Sequence, residues 1–304
     1  MFVNQTAFIN CLQERTLKYV RATYHFFVHS NLLIALAAVA QCALTYYVLD
    51  FDINPAILWI EGSTTLLLYN LSLYLSKPSN PQQSPYLRTR WVFKYEWLLW
   101  LNSVLAVLLL IYALLQIHPY TFFYLAFVGL VSMAYAVPFV RINGQRRGLR
   151  SVPGLKLFYI ALVWSLSSVG LPVLELYVEG ATIDWFTANY LGLVKIVFLL
   201  ICTLPFDIRD MEQDSYYKLK TVPTMLGEPA AINLAYILGI AHLLLIAFSP
   251  YSIPVKAGML LTTLLILLLM KSVVFTRKRN YHTVYLLDLA LIVQWFLVFL
   301  FRLA

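Results

Sequence analysis

Uninterrupted apolar runs of about 20 residues, each long enough to cross roughly 30 Å of hydrocarbon as a helix, recur along almost the whole 304-residue chain. They fall near 26–48, 55–76, 92–116, 119–139, 154–174, 187–206, 229–249, 253–275 and 284–303. A backbone in hydrocarbon must satisfy its own polar groups, so these segments are expected to be helices, and they are too long and too uniformly apolar for barrel strands. Composition agrees: 61% hydrophobic and 12% charged residues leave too little polar surface to coat a water-soluble globule. The expected fold class is therefore all-α, a polytopic integral membrane protein of about nine spans forming a single membrane domain over 1–304.

Residues 1–25 are expected to stay as a cytoplasmic segment, because Glu14, Arg15, Lys18 and Arg21 occupy the place of a signal h-region. Phe8, Ile9, Leu12 and Leu17 are spaced for a short amphipathic surface helix. With nine spans, one face receives the N-terminus and the loops after spans two, four, six and eight. That face carries 19 of the 22 Lys and Arg residues, so the positive-inside rule makes it cytoplasmic and puts the C-terminus outside. The expected location is a bacterial inner membrane. The net charge of +8 is then a topology signal; no soluble segment is long enough for a nucleic-acid-binding domain. Cys11, Cys42 and Cys202 are isolated, and the five histidines lack metal-ligand spacing.

Acids cluster in one place. In Pro205-Phe206-Asp207-Ile208-Arg209-Asp210-Met211-Glu212-Gln213-Asp214 three aspartates stand at i, i+3 and i+7, which on one continuous helix is about 60° of arc. Such a carboxylate face suits Mg2+ bridging to phosphate oxygens, and Arg209, Lys218 and Lys220 nearby suit a polyanion. The plain alternative is a solvated acidic loop.

The segment from Asp207 to Asp214, followed by Lys220-Thr221-Val222-Pro223-Thr224-Met225-Leu226-Gly227, resembles the second aspartate-rich motif of the UbiA-type intramembrane prenyltransferases. Ala134-Tyr135-Ala136-Val137-Pro138, with Arg146, Arg147 and Lys156 behind it, is similar to that family's tyrosine-x-x-proline segment and its trailing basic residues. The resemblance implies transfer of an isoprenoid group from its diphosphate to a hydrophobic, often aromatic, acceptor within the membrane. It implies Asp207, Asp210 and Asp214 as Mg2+ ligands, Asn70 as a fourth catalytic residue, and Tyr135, Arg146, Arg147, Lys156 and Lys218 as diphosphate-binding residues.

The family's first motif is altered. Asn70 is followed by Tyr74 and Pro78 where aspartates belong, and Lys77 shares the helical face of Asn70. Lys77 is read either as a direct diphosphate contact replacing one metal ion or as an anchor of span two at the inner interface. The altered motif keeps open a second function, a non-catalytic relative that binds an isoprenoid diphosphate or lipid; a transporter fits less well, since the acids gather at one face and not at the midplane. Glu61 and Lys195 lie inside spans at comparable depth, where unpaired charge costs about 2.5–3.5 kcal/mol. A structural ion pair is the favoured expectation for them, and recognition of a polar acceptor the other. Asp288 and Glu96 are expected to neighbour basic loops.

Overall fold

The computed structural model describes residues 19, 22–136, 140–142, 145–147, 149, 152–216, 219–276 and 283–303. Helical residues 22–29 (α1) lead into α2 (Leu32–Leu49), and α3 (Pro55–Leu75) returns across the bundle. After a short loop come α4 (Leu87–Lys94), α5 (Glu96–Leu114) and α6 (Pro119–Ala136). A small antiparallel hairpin, β1 (Val140–Ile142) with β2 (Gln145–Arg147), interrupts the otherwise helical chain. Then α7 (Leu155–Ser165) continues through a π-helical turn, Leu166–Gly170, into α8 (Leu171–Val178). The remaining elements are α9 (Trp185–Arg209), α10 (Met211–Tyr216), α11 (Val222–Leu226), α12 (Glu228–Ala247), α13 (Ile253–Leu269) with a second π turn at Met270–Val274, and α14 (Leu286–Leu303).

Among the described residues, seven helices are long and apolar enough to span a bilayer, and they make this a multi-pass membrane protein: α2, α5, the α7–α8 unit, α9, α12, α13 with its π turn, and α14. The other two expected spans correspond to α3 and α6. The 21-residue α3 has the length, but its buried face carries Glu61, Ser63 and Asn70, which lowers its average hydropathy. The apolar stretch of α6 is shorter, Pro119–Tyr135.

The helices form a ring. Helix α2 packs between α14 and α3, α3 on α5, α7 on α9, α9 on α12, α12 on α13, and α13 on α14, with α6 against α7 and α8. One buried apolar cluster fills the half near the basic loops, around Phe198, Ile201, Ile266 and Leu287; another, around Tyr46, Ile60, Leu191 and Met259, fills the opposite half. The ring is loosest at α5, of whose apolar window only 17% is buried. Its Trp97, Leu101, Leu105 and Leu108 point outward, where lipid tails would cover them.

Two helical breaks bear on the site. The first expected span is not continuous: Asn31 takes the left-handed conformation at φ 61°, a region asparagine enters more readily than most residues, and separates α1 from α2. The third begins later than expected, because α4 and α5 meet at Tyr95.

Candidate diphosphate site

The three aspartates do not share one continuous helix. Pro205 leaves the Ile201 carbonyl without its helical N–H donor, and α9 then ends at Arg209. Asp210 is the hinge to α10, with φ −90° and ψ 6°. Asp207 and Asp214 still converge on one lysine, while Asp210 is engaged by its neighbour Arg209. Lys156, in the first turn of α7, sits between the converging pair, with Nζ 2.7 Å from Asp207 Oδ1 and 3.5 Å from Asp214 Oδ2. The Gly154 N–H donates to the Lys220 carbonyl at 2.8 Å and fixes the start of α7 against the chain beyond α10. Asp210 is held by Arg209 through paired contacts of 2.7 and 2.8 Å.

Lys156, Asp207, Arg209 and Asp210 face a cavity of about 240 Å³ enclosed by α1, α2, α3, α4, α7, α9 and α14; Asp214, which reaches Lys156, is not in its lining. Its polar end carries Arg88, Lys156 and Arg209 against Asp207, Asp210 and Asp288. Its deeper wall is apolar and aromatic, with Ile34, Trp164, Leu199 and Phe206. The Arg209 guanidinium lies over the Phe206 and Tyr285 rings at 5.1 and 5.6 Å. Three cations against three carboxylates leave little net charge, so a polyanion entering this cavity must bring further cations. Asp207 Oδ2 is buried and has no hydrogen-bond partner among the described residues, an orphan acceptor of the hard type that Mg2+ takes. No three acidic, histidine or cysteine side chains stand together as a ready-made metal cage among the described residues. Two carboxylates are enough for Mg2+ when phosphate and water supply its other ligands, so Asp207 and Asp214 fit that ion; Asp210 can join only by releasing Arg209.

Other expected site residues are placed differently. Asn70 is buried behind the cavity lining: it accepts from Asn31 Nδ2 at 2.8 Å and donates to Ser103 Oγ at 3.0 Å. Asn31 reaches the cavity instead, and its Oδ1 accepts from Arg88 Nη2 at 2.5 Å while Arg88 Nη1 contacts the Tyr285 hydroxyl at 3.2 Å. Lys77 is not in the cavity lining. Its Nζ pairs with Glu96 at 2.8 Å, because the α4–α5 junction brings Glu96 to the end of α3, and the interface-anchor reading is the one this contact fits. Tyr74, in the altered motif, packs against Trp100 on the outer surface. Tyr135 stacks on Tyr159 with ring centroids 5.5 Å apart and interacts electrostatically with Lys156 without lining the cavity. Lys218 lies outside the described residues, and for Arg146 and Arg147 only the β2 backbone is described.

The expected direct pairing of Glu61 and Lys195 is also corrected. The fully buried Lys195 donates to Gln41 O, to Thr45 Oγ1 at 2.8 Å, and to Ser168 Oγ and O at 3.3 and 3.4 Å. Glu61 Oε1 accepts from Ser167 Oγ at 2.9 Å. The π turn therefore places two adjacent serines between the charges, one serving each.

The molecule belongs to the class of multi-pass helical membrane bundles, with a charged, aromatic-backed cavity at the end that carries the basic loops. No family model matches the sequence, and no curated protein does. Among solved structures, the fold is similar to the unliganded UbiA homolog from Aeropyrum pernix K1, with a TM-score of 0.65 at 12% identity over 89% of this chain and 98% of that one. It is also similar to a UbiA homolog from Archaeoglobus fulgidus, solved with GPP and Mg2+ (TM-score 0.57, 12% identity, 92% and 100% coverage) and alone (0.58, 14%, 92% and 100%). The chain therefore has the UbiA-type fold.

Proposed function

We propose that this chain is a Mg2+-assisted prenyltransferase of the UbiA type, taking an isoprenoid diphosphate at the cavity between Lys156 and Arg88. The observation that carries the proposal is Asp207, with its orphan carboxylate oxygen, beside Lys156 in the lining of an aromatic-walled cavity, with Asp214 reaching the same lysine from outside that lining. The same fold in the Archaeoglobus fulgidus homolog holds GPP and Mg2+, which supports the substrate class. In the reaction the allylic C–O bond breaks, its electron pair leaves with the diphosphate, and the acceptor bonds to the allylic carbon and loses a proton. Mg2+, held by Asp207 and Asp214, would stabilise the negative charge on the departing diphosphate. Lys156, Arg88 and Arg209 add fixed positive charge at the same end. Trp164, Phe206 and Tyr69 offer π faces to the allylic cation and keep water from it.

Purified protein should bind geranyl diphosphate more tightly with Mg2+ than without, and Asp207→Asn should remove that Mg2+ dependence and weaken binding at least tenfold, about 1.4 kcal/mol. Equal affinity in wild type and variant would overturn the site. A second reading, binding without turnover, draws support from Tyr74 and Lys77, which leave the first motif without carboxylates and engaged elsewhere. Pyrophosphate release with a panel of aromatic acceptors favours transfer; tight binding with none released favours the second reading.

The orientation follows from the basic bias: the mouth of the cavity faces the cytoplasm, and all nine helical passes cross the membrane. A reporter active only outside the cytoplasm should give signal when fused after Ala304 and none when inserted in 140–153. The opposite pattern reverses the placement of the site.

A further inference from the structure

A second cavity, about 340 Å³, lies beside the first between α3, α5, α6 and α7. Tyr69 and Trp164 line both, so two side chains form their shared wall. Most of the second lining is apolar, including Leu68, Leu110, Val128 and Val163. Its rim includes Leu71 and Met133, both exposed on the outer face of the bundle, so a molecule dissolved in the bilayer meets an opening there. At Gly129 on α6 a Cβ would meet nothing within 4 Å, which marks open space on that wall. The charged group in the lining is Glu61, itself 2% exposed. Ser167 occupies Oε1, and Oε2 has no hydrogen-bond partner among the described residues.

We infer that this cavity is the acceptor subsite, and that it takes a membrane-soluble aromatic molecule whose hydroxyl donates to Glu61 Oε2 while its other end reaches the Tyr69–Trp164 wall. An unsatisfied carboxylate oxygen in apolar surroundings costs free energy until a donor arrives, so the cavity discriminates for a hydroxyl and against its ether or hydrocarbon analogue. Ser167 already serves Oε1, so Oε2 is the oxygen left to take a donor from a molecule in the cavity. Glu61 stands eight residues before Tyr69 on α3, about 12 Å along the axis at 1.5 Å per residue. A ring system with a substituent covers that interval between the carboxylate and the shared wall. The assignment as acceptor subsite rests on the prenyltransferase reading, whereas the hydroxyl-binding cavity does not.

The test compares 2-naphthol with 2-methoxynaphthalene, each titrated into purified protein in nanodiscs with protein-free nanodiscs as blank. Wild type should bind 2-naphthol at least tenfold more tightly. Glu61→Leu should abolish that preference, and Gly129→Leu should weaken both probes by filling the cavity. Equal binding of the two probes by wild type, or naphthol binding unchanged in Gly129→Leu, overturns the inference, and so does a preference that survives in Glu61→Leu. Geranyl diphosphate binding, measured on the same preparations, should persist in both variants. Its absence from wild type would sink the prenyltransferase reading and with it the name of acceptor, while the naphthol comparison still decides the cavity.

Discussion

Lys156→Met should lower the stability of the metal-free protein by about 3 kcal/mol, and Mg2+ should restore a large part of it. The lysine is the cation between Asp207 and Asp214, whose side chains are only 5% and 8% exposed. Removing it leaves two buried carboxylates facing each other with no counter-charge, and the cost of breaking such a pair from one side exceeds what the intact pair contributes. Both carboxylates then become available to a divalent ion. Thermal melting in detergent should show the variant well below wild type in EDTA and much closer to it in millimolar Mg2+. Two identical melting curves in EDTA would show that Lys156 does not neutralise this pair. A Mg2+ response no larger than that of wild type would remove Asp207 and Asp214 from the metal site.

The second large effect concerns the bundle interior and is asymmetric. Lys195→Met should cost about 3 kcal/mol, but Glu61→Leu closer to 1 kcal/mol, although each removes one member of a buried charge pair. The ammonium is solvated by four oxygens from α2 and the π turn, so it keeps its partners when Glu61 is gone. The carboxylate has a single donor, Ser167, and is stranded without the lysine. In the double variant, Glu61→Leu should recover part of the loss caused by Lys195→Met. Additive losses across the cycle would mean that the two charges do not interact.

The architecture was legible because hydrocarbon imposes a coarse and strict rule: the nine apolar runs correspond to the helices of the ring within a few residues at most ends. What averaging hid was the break at Asn31. A single polar residue in a left-handed turn barely lowers the hydropathy of a 20-residue window, yet it cuts the first run in two and carries a side chain into the cavity. The acidic segment announced itself by composition, but the three-then-four spacing of its aspartates suggested one helical face. The turn at Asp210 divides that face, and Arg209, adjacent in sequence, captures the middle carboxylate. Arg88, Tyr285 and Asp288 were not legible as site residues. Arg88 counted as one more basic loop residue, and only the closing of α14 onto α2 brings Tyr285 and Asp288 to it. Lys77 is a further case: a face shared with Asn70 requires the helix to run on, but α3 ends at Leu75 and Lys77 pairs with Glu96.

The π turn at Leu166–Gly170 holds the imprint of a length change. A π turn is an α-helix accommodating one surplus residue, and shortening the segment by one would return it to regular winding. The widened turn absorbs the surplus residue, so excising one of its serines would leave α7 and α8 facing as they do. Ser167 and Ser168 would then no longer both stand between Glu61 and Lys195. The interior charges thus depend on the length of one turn: without its surplus residue, Glu61 and Lys195 would share one serine instead of having one each.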